Sequence, residues 1–172
     1  MAQKIEIKRA LKIAEKVKEL FSDEVLEINL FRGQLSLVVR KIRIKEILKF
    51  LKNECRFNHL RDLCGVDFFP EKPRFEVVYN LYSIYEKIHI RIKTRVDEEE
   101  SEIDSITELW ETANWHEREC FDMFGIKFKG HPDLRRILMP EDWEGYPLRK
   151  DYPLKGQQLW RGFKEILETK NE

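Results

Sequence analysis

The sequence is poor in the residues from which cofactor sites are usually built. Its seven glycines are scattered, with no Gly-x-Gly-x-x-Gly run and no Gly-Lys-Ser/Thr loop, so the common backbone cradles for dinucleotides and phosphates are missing. The three cysteines, Cys55, Cys64 and Cys120, stand far apart. They cannot supply the four thiolates of an ordinary iron–sulfur cluster, and an odd, dispersed set suits a reduced compartment better than a disulfide framework. No window approaches the ~20 apolar residues that cross a bilayer, and no opening stretch joins a basic flank, an apolar run and a small-residue cleavage site. Neither membrane insertion nor a signal peptide is expected. Serine is sparse, and none sits in a nucleophile elbow. A formal net charge of +0 removes any general attraction to nucleic acid or anionic lipid. There is no internal repeat and no low-complexity stretch.

What is present is a globular core. At 172 residues, 42% hydrophobic and 37% charged, the chain fits one domain. Ala10, Ile13, Ala14, Val17 and Leu20 recur near helical spacing, and so do Ile44, Ile47, Leu48 and Leu51, which predicts two amphipathic helices, the second ending near Asn53. Val25–Leu30 and Leu35–Val39 flank Arg32-Gly33-Gln34 and predict a hairpin. Leu60–Phe68 suits a strand that ends at the Pro70 and Pro73 turn. Arg74–Ile84 and Glu86–Val96 predict a second hairpin; the latter alternates Ile88, Ile90, Ile92, Thr94 and Val96 with His89, Arg91, Lys93 and Arg95, so one face is core and the other is wet and basic. After an acidic loop, Ser105–Phe124 predicts one or two helices. The expected fold class is α+β: a single domain with an antiparallel or mixed sheet of hairpins packed with helices, globular over residues 1–128. Residues 129–172 are expected to form an irregular docking arm of that domain with a short C-terminal helix.

Candidate chemistry gathers between Trp115 and Pro153. His116 and Cys120 lie one helical turn apart, with His131 or Asp122 as neighbours, but zinc sites normally show tighter ligand clusters, so a packed helix is the favoured reading. Glu119 and Asp122 could join His116 and Cys120 in a stand-alone metal- or carboxylate-dependent enzyme. Helix geometry favours something else: Arg118 and Asp122 stand at i and i+4, Glu119 shares a face with Trp115, and an Arg between carboxylates lowers their pKa. An ion-paired structural or docking face is expected rather than an active site. Beyond Phe128 the periodicity vanishes, while Gly130, Pro132, Pro140, Gly145, Pro147 and Pro153 punctuate a stretch too rich in Leu, Ile, Trp and Tyr for a free tail. Such an arm suits wrapping a partner: Arg135, Arg136, Arg149 and Lys150 can donate to its carboxylates or carbonyls, with Trp143, Tyr146 and Tyr152 as apolar anchors.

The blocks Glu117-Arg118-Glu119, Asp122-Met123-Phe124-Gly125, His131-Pro132-Asp133-Leu134-Arg135-Arg136-Ile137 and Pro147-Leu148-Arg149-Lys150-Asp151 follow one another in order. Together they closely resemble the C subunit of the proton-pumping NADH–quinone oxidoreductase, respiratory complex I. The resemblance extends upstream through Arg74–Leu81 and Arg91–Thr94, covering about residues 57–153. It implies a subunit without cofactors of its own in a complex that carries FMN, iron–sulfur clusters and quinone on other subunits. It further implies docking on the D subunit, which helps form the quinone pocket, and on the B subunit, which holds the terminal cluster. Attachment would be peripheral, through other subunits, on the cytoplasmic side of the membrane. The implied partner interface is Trp115, Glu117, Arg118, Glu119, Asp122, His131, Asp133, Arg135, Arg136, Trp143, Tyr146, Arg149, Lys150 and Asp151. Met139–Tyr146 resembles cyanobacterial, plastid, archaeal or deep-branching bacterial relatives, whose complexes take electrons from NADH, ferredoxin or a deazaflavin carrier. A similar subunit of membrane-bound hydrogenase-type complexes is the alternative. With Glu172 as the last residue, no fused quinone-pocket subunit is expected.

Overall fold

The computed structural model describes residues 2–154, with side chains from residue 5 onward; the expected C-terminal helix lies outside the described residues. Helix α1 spans Ala2–Leu20 and is followed by strands β1 (Val25–Phe31) and β2 (Gln34–Val39). Helix α2 covers Ile44–Asn53, and the strands β3 (His59–Asp67), β4 (Phe75–Ser83) and β5 (Ile88–Val96) come next. A short strand β6 (Glu102–Asp104), helix α3 (Ala113–Phe124) and a short strand β7 (Lys127–Lys129) complete the set.

Five strands form one mixed sheet in the order β1-β2-β5-β4-β3. The two expected hairpins are present: β1 and β2 meet across Arg32 and Gly33, both at positive φ as a two-residue hairpin turn requires, and β4 pairs antiparallel with β5. The hairpins join through the parallel pair β2 and β5. One face of the sheet carries Leu35, Leu37 and Val39 with Phe75, Val77, Tyr79 and Leu81 and with Ile88, Ile90, Ile92 and Val96. This period-2 set joins Ala10, Ala14 and Val17 of α1 and Ile44, Ile47, Leu48 and Leu51 of α2 in a single hydrophobic core. Burying one such Leu or Ile side chain contributes about 2 kcal/mol, so the core outweighs any surface ion pair.

The opposite face departs from the wet basic surface expected from its alternation. His89, Arg91, Lys93 and Arg95 are only half-exposed. Glu76, 5% exposed, is held between Lys93 at 3.3 Å and Arg95 at 3.2 Å, so the cations are partly neutralised from within the sheet. A polar row crosses four strands: Arg91 donates to Gln34 (3.2 Å) and Asn80 (3.0 Å), and Asn80 donates to Asp62 (3.2 Å).

The segment 105–124 also differs from expectation. Instead of continuous helix, a turn-rich stretch follows β6, and the helix begins only at Ala113. The carboxyl of Glu117 takes the amide of Ile106 and the hydroxyl of Ser105, pulling this stretch back across α3. β6 and β7, not expected from the sequence, pair parallel as a second small sheet; three-residue strands carry too little alternation to be read locally.

Helix α3 packs on β3, and Gly65 allows the approach. A Cβ at Gly65 would lie 2.7 Å from Phe124 Cδ2 and 2.9 Å from Cys120 Sγ. Gly65→Val is therefore expected to lose about 1–3 kcal/mol through overpacking, read as a lower urea midpoint with an unchanged slope; a midpoint equal to that of the parent would contradict this packing.

Candidate partner-docking arm

Helix α3 ends cleanly at Gly125, whose φ of 79° is the left-handed conformation of a C-terminal cap, with its amide bonded to Phe121 O. The chain then runs through β7 and turns back over the helix as an irregular arm. Asp122 is the point that gathers it. Its Oδ2 accepts the amides of Ile137 (3.1 Å), Leu138 (2.8 Å) and Met139 (2.8 Å), and its Oδ1 accepts Arg136 Nη1 at 2.6 Å. Arg136 Nη2 donates onward to the carbonyls of Trp143 and Gly145, each at 2.9 Å. One ion pair thus organises residues 136–145. Burial pushes the Asp122 carboxyl up, but Met139, Arg136, Leu138 and Ile137 outweigh it and hold the group below the usual carboxylate range.

A second tie holds the far end. Arg149 lies between the rings of Phe75 (5.0 Å) and Tyr146 (4.6 Å) and donates to Phe124 O at 2.7 Å. Arg74, 4% exposed, reaches Asp67 through Nε at 3.0 Å and Nη2 at 2.9 Å, Glu98 at 2.7 Å, and Asp151 through Nη1 at 3.0 Å. Lys150 gives its backbone amide to Asp67 Oδ2 at 2.8 Å. Burial pushes Asp67 up, while Arg74 and the amides of Lys150 and Phe69 outweigh it and set the carboxyl at about 2. Sequence reasoning did not single out Arg74, Asp67 or Glu98, because their partners lie far away along the chain.

Two expectations about α3 are corrected. Arg118 does not pair with Asp122; it donates to the carbonyls of Arg135 (3.1 Å) and Arg136 (2.9 Å) and lies over the Trp115 ring at 5.4 Å. The arm offers Asp122 three amides and a guanidinium, more than a helical i,i+4 neighbour can match. Nor is the pKa of Glu117 lowered by an adjacent Arg. Glu117 is 0% exposed, on another side of the helix from Arg118, and burial pushes it up to about 7 against the opposing Ile106 amide and Ser105 hydroxyl.

The remaining candidate residues divide by position. His131 accepts the Asp133 amide at Nδ1 (3.0 Å), which leaves Nε2 to donate to Asn114 O (3.2 Å). His116 faces Asp62 at 3.8 Å, whereas Cys120 points into the core, so the two candidate ligands face different surroundings. Among the described residues no group of His, Cys, Asp or Glu is arranged to hold a metal ion. Arg136, Arg149, Asp122 and Asp151 are committed within the chain. Trp115, 61% exposed, stands at the surface with Glu119, Asp133, Arg135 and Lys150. The Arg135 guanidinium meets the neighbouring Asp133 at 2.9 Å. Trp143 is half-buried.

Asp122→Ala leaves Arg136 and three amides without their acceptor and is expected to destabilise the chain by about 3–5 kcal/mol, with new protease cleavage inside 136–146; wild-type protease resistance in the variant would contradict the tie. Because Asp67 and Asp122 titrate lower in the fold than in the unfolded chain, their stabilisation is complete above about pH 4 and is lost as pH falls toward their folded values. The Asp67 contribution alone is about 2 kcal/mol, so chemical denaturation between pH 5 and pH 2 is expected to show an acid-side loss that Asp67→Asn diminishes.

Residues 37–158 match the family described as respiratory-chain NADH dehydrogenase, 30 Kd subunit. The NADH-quinone oxidoreductase C subunit of Geotalea uraniireducens (strain Rf4) is 53% identical over 141 residues, covering 82% of this chain and 86% of that protein. The corresponding C subunit of Roseiflexus sp. (strain RS-1) is 51% identical over 149 residues, covering 86% of this chain and 86% of that protein. A trypsin-resistant fragment of Nqo5 superposes with a TM-score of 0.66 at 33% identity, covering 73% of this chain and 99% of that one. A chain of the membrane-bound sulfane sulfur reductase, an archaeal respiratory membrane complex, superposes with a TM-score of 0.73 over 92% of this chain and 91% of its own at 23% identity, which shows a shared fold alone. The described part of the arm and the strands β3 and β4 that anchor it lie inside the matched span, and the chain belongs to the 30 Kd subunit family of respiratory-chain NADH dehydrogenase, the family of the NADH-quinone oxidoreductase C subunits.

Proposed function

We propose that this chain is a scaffold of the quinone-reducing module of an NADH–quinone oxidoreductase, without catalytic residues of its own. It docks on the quinone-pocket subunit and on the subunit that holds the terminal cluster, through the outer surface of α3 and its arm. The observation that carries this reading is the way the arm is spent: its buried charges are consumed in folding it onto α3 and β4, while Trp115, Glu119, Asp133, Arg135 and Lys150 are left facing outward. An arm already held in one shape loses little further freedom on docking, and an exposed Trp beside Arg side chains is the composition of an interface hot spot. FMN, iron–sulfur clusters and quinone then belong to other subunits. Attachment to the cytoplasmic side of the membrane runs through these partner subunits; none of the described helices is long and apolar enough to cross a membrane. The relatives at about half identity are NADH-quinone oxidoreductase C subunits, which favours this reading over the hydrogenase-type alternative.

The double variant Trp115→Ala, Arg135→Ala separates docking from folding. Neither side chain is buried, so thermal unfolding of the purified chain is expected to stay within about 0.5 kcal/mol of the parent. Recovery of the chain with its complex from washed membranes is expected to drop severalfold. A variant that assembles fully and supports normal quinone reduction would refute this surface; one that assembles fully but loses quinone reduction would show that scaffolding is too weak a description.

A further inference from the structure

Glu117 takes no part in the arm. It sits at 0% exposure in the layer between α3 and the sheet, and its hydrogen-bond donors among the described residues are neutral: Ile106 N to Oε1 at 2.7 Å and Ser105 Oγ with Oε2 at 2.7 Å. The groups around it are equally short of positive charge. From its own helix comes Cys120, buried and with its thiol pushed far up by burial. From β4 comes Tyr79, buried, with a hydroxyl that has no hydrogen-bond partner among the described residues; burial above all, and then the charges of Glu117, Cys120 and, from β6, Asp104, disfavour its ionisation. The cation acting on Glu117 is Lys45 of α2, which is half-exposed and already paired with Glu108 at 2.9 Å. A carboxylate in such a layer lacks the charge partner that a buried anion needs.

Both hydrogen bonds favour the charged form and are outweighed by burial; the same geometry also accommodates a neutral carboxyl. Ser105 Oγ lies 3.0 Å from Thr107 Oγ1 and accepts the Thr107 amide at 3.3 Å. With Glu117 protonated, its Oε2–H donates to Ser105 Oγ, Ser105 donates to Thr107 Oγ1, and Oε1 still accepts Ile106 N–H. With Glu117 ionised, Ser105 must turn its hydroxyl to Oε2 and release Thr107. The alternative for the charge is water, and separation of the 105–112 turn, which supplies both hydrogen-bond partners of the carboxyl, from α3 would admit it.

We propose that Glu117 is a buried proton-binding site, protonated in the closed fold, whose proton release is coupled to opening of the 105–112 turn. This inference does not depend on the docking reading. The folded group binds its proton more tightly than the solvated one, so the closed turn is fully favoured below the ordinary carboxylate range. That preference is lost as pH rises toward the folded value of about 7.

The test is a carboxyl-detected NMR titration of the full chain, with the Glu117 carboxyl resonance assigned through bonds from its own backbone amide, alongside amide hydrogen exchange at Ile106–Trp110 corrected for the intrinsic rate. Glu117 is expected to titrate near pH 7. The opening constant of the turn is expected to rise about fortyfold from pH 5 to pH 7, level off above about pH 8, and stay flat in Glu117→Gln. Ser105→Ala keeps the burial but removes one donor to the charged form, so it is expected to move the Glu117 midpoint upward; this arm of the test stands even if Glu117→Gln fails to fold. A Glu117 midpoint in the ordinary carboxylate range, or opening that is independent of pH in the parent chain, would overturn the proposal.

Discussion

The Asp122 carboxylate is the constraint on which the C-terminal third of this structure depends. An irregular segment has no ladder to satisfy its backbone, and its amides must find acceptors elsewhere or stay in water. Here three consecutive amides converge on one carboxylate oxygen, and a guanidinium closes on the other. Arg136 then passes the connection to two carbonyls further along. A neutral acceptor could take the amides but would leave Arg136 uncompensated in a largely buried site. A charge pair without the amides would leave three polar groups stranded. Each half makes the other tolerable, and this is the condition under which a buried ion pair can be kept.

The far end of the arm follows the same logic with different parts. Arg74 is nearly inaccessible and is surrounded by the carboxylates of Asp67, Glu98 and Asp151. Two of these belong to the globular region and one to the arm, so the arm completes a charge balance that the sheet leaves open. Arg149, stacked between Phe75 and Tyr146, adds an apolar seam to the ionic one. The outward-facing residues near α3 inherit their positions from these ties. Trp115 is packed under Arg118, and Arg118 is fixed by the carbonyls of Arg135 and Arg136. The proposed docking surface is thus one step removed from the interactions that shape it.

Two carboxylates on one helix, five residues apart, show how far environment decides chemistry. Both are fully buried, and desolvation acts on both in the same direction. Asp122 meets a guanidinium and three amides and stays ionised. Glu117 meets one amide and one hydroxyl, and its proton affinity rises. Residue type and burial are the same kind of information in the two cases; the number and charge of the donors separate them.

Much of the fold was legible in the sequence because it rests on local period. Alternation in β5, the i, i+3, i+4, i+7 spacing in α2 and the Arg32-Gly33 turn specify the elements and the side of each that faces the core. The ordered blocks from Glu117 to Asp151 carried the family resemblance because each is a string of adjacent residues that can be read without knowing the fold. Tertiary structure alone decided what each charge in those strings does. Arg118 and Asp122 are helical neighbours by spacing, yet the arm supplies better partners to both. Arg74 finds Asp151 on a segment 77 residues away, and β6 finds β7 across α3. Burial, which sets the proton affinity of Glu117, is a property of every layer around it. Local period is written in the chain, whereas partner choice among buried charges depends on which segments the fold brings within hydrogen-bond distance.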